Sequence, residues 1–374
     1  MAQGDGKIRV ALNGYGVIGK RVADAVACQD DMELVGIADV ATDWRLRTAT
    51  QKGFKLFASV ESSVDAMRKA GLPIAGMLDA LLGEADVIVD CTPKPIGAKN
   101  AEIYHKLGVK FIVQGGEKHG VTGHSFVAEA SYAGAVERPS TRVVSCNTTS
   151  VVRTLTALKV AGLLRRARGT LMRRATDPWE SHKGGIMNTL VPEDEIPSHQ
   201  GPDAQTVDPD LDVVTMAVKV PETLAHLHCW TVQLTRKATK DEMIEAFRSS
   251  SRIALIRMSD GLAAINTVKE LMADIGRPRE NLYEVALWED LVTVQGDEAF
   301  YAYMVDNQAI VIPETIDAIR ALTGREKMAT ASIAKTNAAL GIPARLSDRE
   351  VAPVGVSSAT AAGRAAAPLR GPAR

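Results

Sequence analysis

Cys146 stands in the run Val143-Val144-Ser145-Cys146-Asn147-Thr148-Thr149, where two β-branched residues end a strand and the polar residues after the cysteine are of the kind that cap a helix start. A thiol at such a junction lies against free main-chain N–H groups and the positive end of a helix dipole. Both favour thiolate over thiol, the state a nucleophilic cysteine needs. Most lone cysteines are small buried hydrophobes. Here the polar cap residues and a nucleotide site in the same half of the chain outweigh that reading.

The nucleotide site is carried by glycines. Lys7-Ile8-Arg9-Val10-Ala11-Leu12-Asn13 reads as a short buried strand, Gly14-Tyr15-Gly16-Val17-Ile18-Gly19 follows, and Lys20 to Val26 has helical spacing. Gly14 permits the tight turn, Gly16 lets backbone approach a pyrophosphate, and Gly19 lets helix pack closely on strand. A second strand, Glu33 to Asp39, ends in a carboxylate 20 residues after Gly19, where a ribose-binding acid belongs. The pattern predicts a bound dinucleotide.

Bulk properties exclude other classes. With 374 residues, 46% hydrophobic and 24% charged, the chain can bury a large core, and its length favours two domains. A net charge of −1 argues against a nucleic-acid surface as the main function. No apolar run approaches membrane-spanning length, and the first residues do not read as a signal peptide. Cysteines at 28, 91, 146 and 229 have neither disulfide-framework density nor metal spacing, which points to a reducing cytoplasm.

These residues need a frame. After Asp39 the strand–helix alternation continues with a strand at 86–91, a helix at 97–107 and a strand at 109–114 closed by Gly115-Gly116. The fold class is α/β: a Rossmann-type doubly wound nucleotide domain, with ligands at the carboxyl ends of its strands. Cys91 also falls at a strand end, but no cap series follows it, so packing is its better reading. Beyond Cys146 a helix is expected over 153–164, then strands at 169–176, 214–220, 228–235, 283–288, 291–295 and 299–305 with helices near 239–249 and 266–275. The turn Glu289-Asp290 suggests antiparallel pairing. This is a mixed α+β catalytic domain with a largely antiparallel sheet. The expected division is 1–145 for the nucleotide domain, 146–312 for the catalytic domain, 313–341 for helices returning to the first domain, and 342–374 for a disordered tail too poor in large apolar residues to fold.

A glycine-rich nucleotide domain, a cysteine at a strand end and a mixed domain after it is an arrangement used to oxidise aldehydes through a thioester. Asn13-Gly14-Tyr15-Gly16, Asp90-Cys91-Thr92-Pro93, Gly97-Ala98-Lys99-Asn100, Gln114-Gly115-Gly116-Glu117-Lys118-His119, Ser145-Cys146-Asn147-Thr148-Thr149, Pro197-Ser198-His199, Gly201-Pro202-Asp203 and His226-Leu227-His228 resemble, in order, the motifs of the archaeal class of glyceraldehyde-3-phosphate dehydrogenase. The similarity runs from about residue 7 to about residue 341.

The resemblance implies that Cys146 attacks the aldehyde of glyceraldehyde 3-phosphate, that hydride passes to NAD(P), and that inorganic phosphate releases 1,3-bisphosphoglycerate. It makes His226 the catalytic histidine. His226 and His228 share a strand face, which makes a metal pair conceivable, but no third ligand is suitably spaced and catalysis is favoured, with no metal. Ser145 and Asn147 match substrate-contacting flanks, Val17 and Ile18 the positions facing the pyrophosphate, Gly116 a glycine lining the cofactor cleft, and Asn307 a position where the family commonly has glutamine near the nicotinamide. Arg173 would hold substrate or phosphate and Arg174 would lie near the cofactor; strict alternation points them to opposite faces, so a bulge or sharing with the cofactor is expected. His199 and Gln200 match a substrate-binding pair that is commonly His-His. A homotetramer in the cytoplasm is the implied assembly. Asp39 stands where many relatives carry lysine, so NAD is expected to be preferred, with NADP possible through Arg45 and Arg47.

Two other protein classes share part of this pattern. An aspartate-semialdehyde-type dehydrogenase would share the cysteine and histidine but bind a carboxylate. A nucleotide-binding regulator would keep the fold without turnover, against which Cys146, Asn147 and His226 together speak.

Overall fold

The computed structural model describes residues 6–178 and 186–343. Its first sheet contains β1 (Ile8–Asn13), β2 (Met32–Asp39), β3 (Leu56–Ala58), β4 (Ile74–Met77), β5 (Val87–Asp90), β6 (Lys110–Val113), β7 (Ser125–Phe126) and β8 (Ser140–Val143). The order is β4-β3-β2-β1-β5-β6-β8-β7, and every pairing is parallel. Parallel strands covered on both faces are apolar throughout, which is why β1 and β5 read as continuous hydrophobic runs. Strand order reverses between β1 and β5. A crevice opens at their carboxyl ends, and the glycine turn lies in it.

The second sheet contains β9 (Leu164–Arg174), β10 (Val191–Pro192), β11 (Val213–Val220), β12 (His226–Leu234), β13 (Ile253–Ile256), β14 (Val285–Trp288), β15 (Thr293–Gln295) and β16 (Glu298–Val305). Its order is β10-β11-β9-β12-β16-β14-β13, with β15 on β16. Pairings β9–β11 and β13–β14 are parallel and the rest antiparallel, so the mixed, largely antiparallel expectation holds.

One helix, Cys146–Val160, joins the two sheets. It leaves β8, and its residues from Asn147 to Leu158 are buried. The helix expected over 153–164 is thus the second half of one that begins at the cysteine itself and stops at Val160, and Leu164 already opens β9. Glu289-Asp290 makes no hairpin: β14 and β15 each pair with β16. The tight turn is instead at Gly296 (φ 67°), between β15 and β16.

The helix Val311–Thr323 packs against β5, β6 and β8 of the first sheet, and the helix Ala329–Leu340 packs on that helix. Charge holds them. Arg153 on the cysteine helix and Arg252 both reach Glu314 Oε1, at 2.5 and 3.1 Å, and Arg252 also bonds Asp317. Arg320 forks onto both oxygens of Asp31, 2.9 Å each. Arg153, Arg252, Arg320, Glu314 and Asp317 are fully enclosed, so each charge depends on its partner. Of the expected tail, Ile342 is buried in the core. Residues 344–374 lie outside the described residues.

Candidate active site

Strand β8 delivers the chain to Ser145, whose extended backbone caps the next helix and whose Oγ accepts the Thr148 N–H at 3.3 Å. Cys146 is therefore the first helical residue. Asn147, Thr148 and Thr149, expected as caps, form the first turn instead. Gly115 makes this seat possible, because a Cβ there would stand 2.4 Å from Ser145 N. Thr148 Oγ1 donates to Asp203 Oδ2 at 2.8 Å, and the buried Arg142 holds Asp203 Oδ1 at 2.6 Å. The cysteine turn is thus braced from two sides.

Cys146 Sγ lies 3.4 Å from His226 Nε2. The other ring nitrogen, Nδ1, accepts the main-chain N–H of Arg174 at 3.1 Å. A neutral imidazole with one accepting nitrogen carries its proton on the other, so Nε2–H points at the sulfur. Burial, then the neighbouring His228, Arg174 and Arg173, holds His226 well below the usual imidazole range and keeps it neutral. The cysteine keeps a partial opening to solvent. Burial nevertheless pushes its thiol up, against the charges of Arg174 and Arg173 and the main-chain N–H of Asn147, which pull it down. The expected thiolate-favouring donors are present; in the free protein desolvation outweighs them.

His228 is wholly buried and does not face the sulfur. Its Nε2 lies 2.9 Å from Asn147 Oδ1 and its Nδ1 3.0 Å from the Tyr303 hydroxyl. The four nitrogens of the two rings are therefore committed to Cys146, the Arg174 main chain, Asn147 and Tyr303.

Arg173 and Arg174 sit at the end of β9, in unbroken register with Lys219 and Val220 of β11. There is no bulge. Arg173 pairs with Glu193, which also takes His199 Nδ1 at 3.3 Å; Arg174 pairs with Asp177 at 3.0 Å. Asp177 also receives Asn307 Nδ2 at 3.2 Å and Gln308 Nε2 at 3.0 Å. Gln200, expected beside His199 in a substrate subsite, is fully buried with neither amide atom bonded.

On the nucleotide side, a cleft of about 560 Å³ is lined by Gly14, Gly16, Val17, Ile18 and Asp39. Gly14 takes φ 92°, and a Cβ on Gly19 would stand 1.9 Å from Gly14 O. A Cβ on Gly16 would meet nothing within 4 Å, so the glycine leaves open space beside its backbone for a pyrophosphate to approach. Asp39 Oδ2 accepts the Tyr15 N–H at 2.5 Å, and Oδ1 those of Val40 and Ala41 at 2.7 and 2.8 Å. The residues present fit a dinucleotide. In the wall of the same cleft, Asp90 gathers Thr92, Asn100 and the buried Tyr104, and Asn13 joins Tyr104 to Ser59. Gly116 lines a different opening, a polar cleft of about 680 Å³ beside Ser145, with Lys94, Lys118, Arg142 and His199.

Comparison with known proteins agrees with this geometry. The family described as "Glyceraldehyde 3-phosphate dehydrogenase, C-terminal domain" matches residues 145–290, and "Dihydrodipicolinate reductase, N-terminus" matches residues 8–125. A glyceraldehyde-3-phosphate dehydrogenase of Methanobrevibacter smithii is 44% identical over 335 residues, 89% of this chain and 99% of the relative. The chain belongs to the archaeal-type glyceraldehyde-3-phosphate dehydrogenase family. Family members from Methanosarcina mazei and Methanothermus fervidus are 43% and 41% identical, over 90% and 89% of this chain and 99% and 98% of theirs.

Reasoning from sequence had placed Cys146, His226, Ser145 and Asn147 in one site of this dehydrogenase, and the fold brings them together. The sequence reading missed Tyr303, Glu193 and Asp177, which come from distant segments and carry no local motif; it had Asp203 in a motif without a role, and it passed over Arg142, on β8 four residues before Cys146. For Tyr303 there was a signal of a kind, since an antiparallel partner of a His-x-His strand must place some side chain opposite His228.

Proposed function

We propose that this chain oxidises glyceraldehyde 3-phosphate with NAD and inorganic phosphate to 1,3-bisphosphoglycerate through a thioester on Cys146. The observation that carries the reading is the 3.4 Å approach of Cys146 Sγ to a His226 ring whose tautomer is set by the Arg174 main chain. The ionised sulfur adds to the aldehyde carbon, and the carbonyl oxygen takes the negative charge. His226 Nε2–H and the Asn147 main-chain N–H, both directed at the sulfur, are donors suited to that oxygen. When bound, a nicotinamide cofactor would supply the acceptor for the hydride of this carbon. Thiolate addition and hydride loss need no net proton, so a neutral His226 serves both steps as a donor. A phosphate oxygen then attacks the acyl carbon, the C–S bond breaks, and the sulfur leaves as the thiolate that Nε2–H stabilises.

Arg173 and Arg174 are the guanidinium groups nearest this chemistry, and substrate or cofactor phosphates would share them with Glu193 and Asp177. His199 lies on the same side as Arg173, through Glu193. Asn307 and Arg174 would border the nicotinamide end, and Gly116 the substrate side. Asp39 favours NAD over NADP because its carboxylate can accept ribose hydroxyls. In this reading residues 1–145 bind the cofactor, 146–312 the substrate, and 313–341 lock the two together, in a cytoplasmic homotetramer. The exposed apolar side chains of Ile196, Met216 and Leu291 on one face of the second sheet support self-association.

NADH formation that requires both glyceraldehyde 3-phosphate and phosphate tests the assignment. Turnover of aspartate semialdehyde in its place, or cofactor binding without turnover of either aldehyde, would overturn it.

A further inference from the structure

The His-x-His pair serves two consecutive residues of the cysteine helix. His226 meets Cys146, and His228, two residues on and on the same face of β12, meets Asn147. The second contact is fully enclosed and lies between a strand and a helix that the mechanism already uses. Resting on the function proposed above, we infer that His228 and Tyr303 are positioning residues that turn the Asn147 carboxamide so that its N–H2 faces the reacting carbonyl oxygen.

Proton counting carries the argument. Burial pushes His228 down to about 3, so the ring is neutral and has one N–H. Asn147 Oδ1 can only accept, which puts that proton on Nε2. Nδ1 is then bare and needs a donor. The Tyr303 hydroxyl, 3.0 Å away on the residue directly opposite His228 in the β12–β16 ladder, supplies it. Ser150 Oγ donates to the Asn147 main-chain oxygen at 2.8 Å and can accept from the Tyr303 hydroxyl at 3.3 Å, so the single tyrosine proton has two acceptors, His228 Nδ1 and the more distant Ser150 Oγ. With Oδ1 held by His228, the Asn147 N–H2 has no partner among the described residues. The Asn147 main-chain N–H already faces the sulfur.

The opposite arrangement uses the same atoms. If the tyrosine proton went to Ser150, His228 would carry its proton on Nδ1 and Asn147 would present Oδ1 to the site. A carbonyl oxygen there would face thiolate and oxyanion, like against like. Tyr303 therefore decides which end of Asn147 the substrate meets.

A double-mutant cycle tests this, with kcat for glyceraldehyde 3-phosphate oxidation and the Kd for NAD as readouts. Tyr303→Phe should lower kcat about tenfold, equivalent to about 1.4 kcal/mol, and leave the NAD Kd unchanged. In the Asn147→Ala background the same substitution should cost less than twofold, because the group it orients is gone. An equal loss in both backgrounds, or wild-type kcat in Tyr303→Phe, overturns the inference. Should Tyr303→Phe fail to fold, His228→Gln, which can still donate to Asn147 Oδ1, should keep more kcat than His228→Leu; the reverse order would equally overturn it. Wild-type enzyme without phosphate-dependent turnover would sink the proposed function instead.

Discussion

Replacing Asp39 by asparagine should remove most of the preference for NAD over NADP. Asp39 ends β2 on the floor of the cleft, where three main-chain N–H groups fix its carboxylate. An ionised carboxylate has about four acceptor sites, which leaves room for a ribose hydroxyl. A 2′-phosphate about 4 Å away would be repelled by roughly 4 kcal/mol per pair of unit charges at an effective dielectric of 20. Asp39 is only partly buried, its charge is spread over three donors, and Arg45, paired with Asp43, also lines the cleft. If solvent and these groups leave about a third of the repulsion, about 1.4 kcal/mol remains, a tenfold preference. Asparagine keeps one oxygen for the Val40 and Ala41 N–H groups and removes the charge. The ratio of kcat/KM for the two cofactors is the assay, since general weakening of the cleft cancels in it. Wild type should favour NAD at least tenfold and Asp39→Asn less than about threefold. A wild-type preference for NADP, or an unchanged ratio in Asp39→Asn, would refute the reasoning.

Other consequences follow from the same geometry. Iodoacetamide should alkylate Cys146 faster as pH rises through and beyond the ordinary thiol range, because burial raises its pKa and only thiolate reacts; His226, held neutral, should add no limb near pH 6.5, and a clear one would show an imidazolium in the free site. His226→Ala should lower kcat by about two orders of magnitude, the size expected for losing an oxyanion donor, with the NAD Kd unchanged; wild-type kcat would remove His226 from the chemistry. Glu314→Gln should destabilise the fold by about 3 kcal/mol or more, since Arg153 and Arg252 lose a shared buried partner, and an unchanged melting midpoint would contradict this. The neutral His228 contributes stability that is fully present above about pH 6.5, the usual imidazole value, and is lost as pH falls toward its folded pKa of about 3; His228→Gln should therefore flatten the acid limb of the stability curve, and an unaltered limb would contradict the sign.

The glycine turn was legible because local sterics dictate it: only glycine accepts φ 92° at Gly14 or 1.9 Å of space at Gly19. The cysteine and its histidine were legible because each carries rare chemistry in a short motif. The start of the cysteine helix was misjudged, since serine, asparagine and threonine all cap well and only the backbone dihedrals choose among them. Glu289-Asp290 looked like a hairpin, but the register of β14 against β16 is a long-range choice that a dipeptide cannot encode. Least visible were the carboxylates. Glu193 and Asp177 meet Arg173 and Arg174 only because loops after β9 and around β10 return to the site, and the sequence suggested arginines waiting for phosphate where the fold supplies internal partners. Gln200 shows the same limit: its place in a motif suggested a substrate contact, and packing buried it.

The central claim is that oxidation passes through an acyl group on Cys146, and a single-turnover experiment without phosphate isolates that step. Enzyme mixed with glyceraldehyde 3-phosphate and NAD should release a burst of NADH approaching one equivalent per chain, and peptide mass mapping should find the acyl group on Cys146. Adding phosphate should discharge it as 1,3-bisphosphoglycerate. A full burst with the acyl group on Cys28, Cys91 or Cys229, or with no covalent adduct at all, would contradict the account.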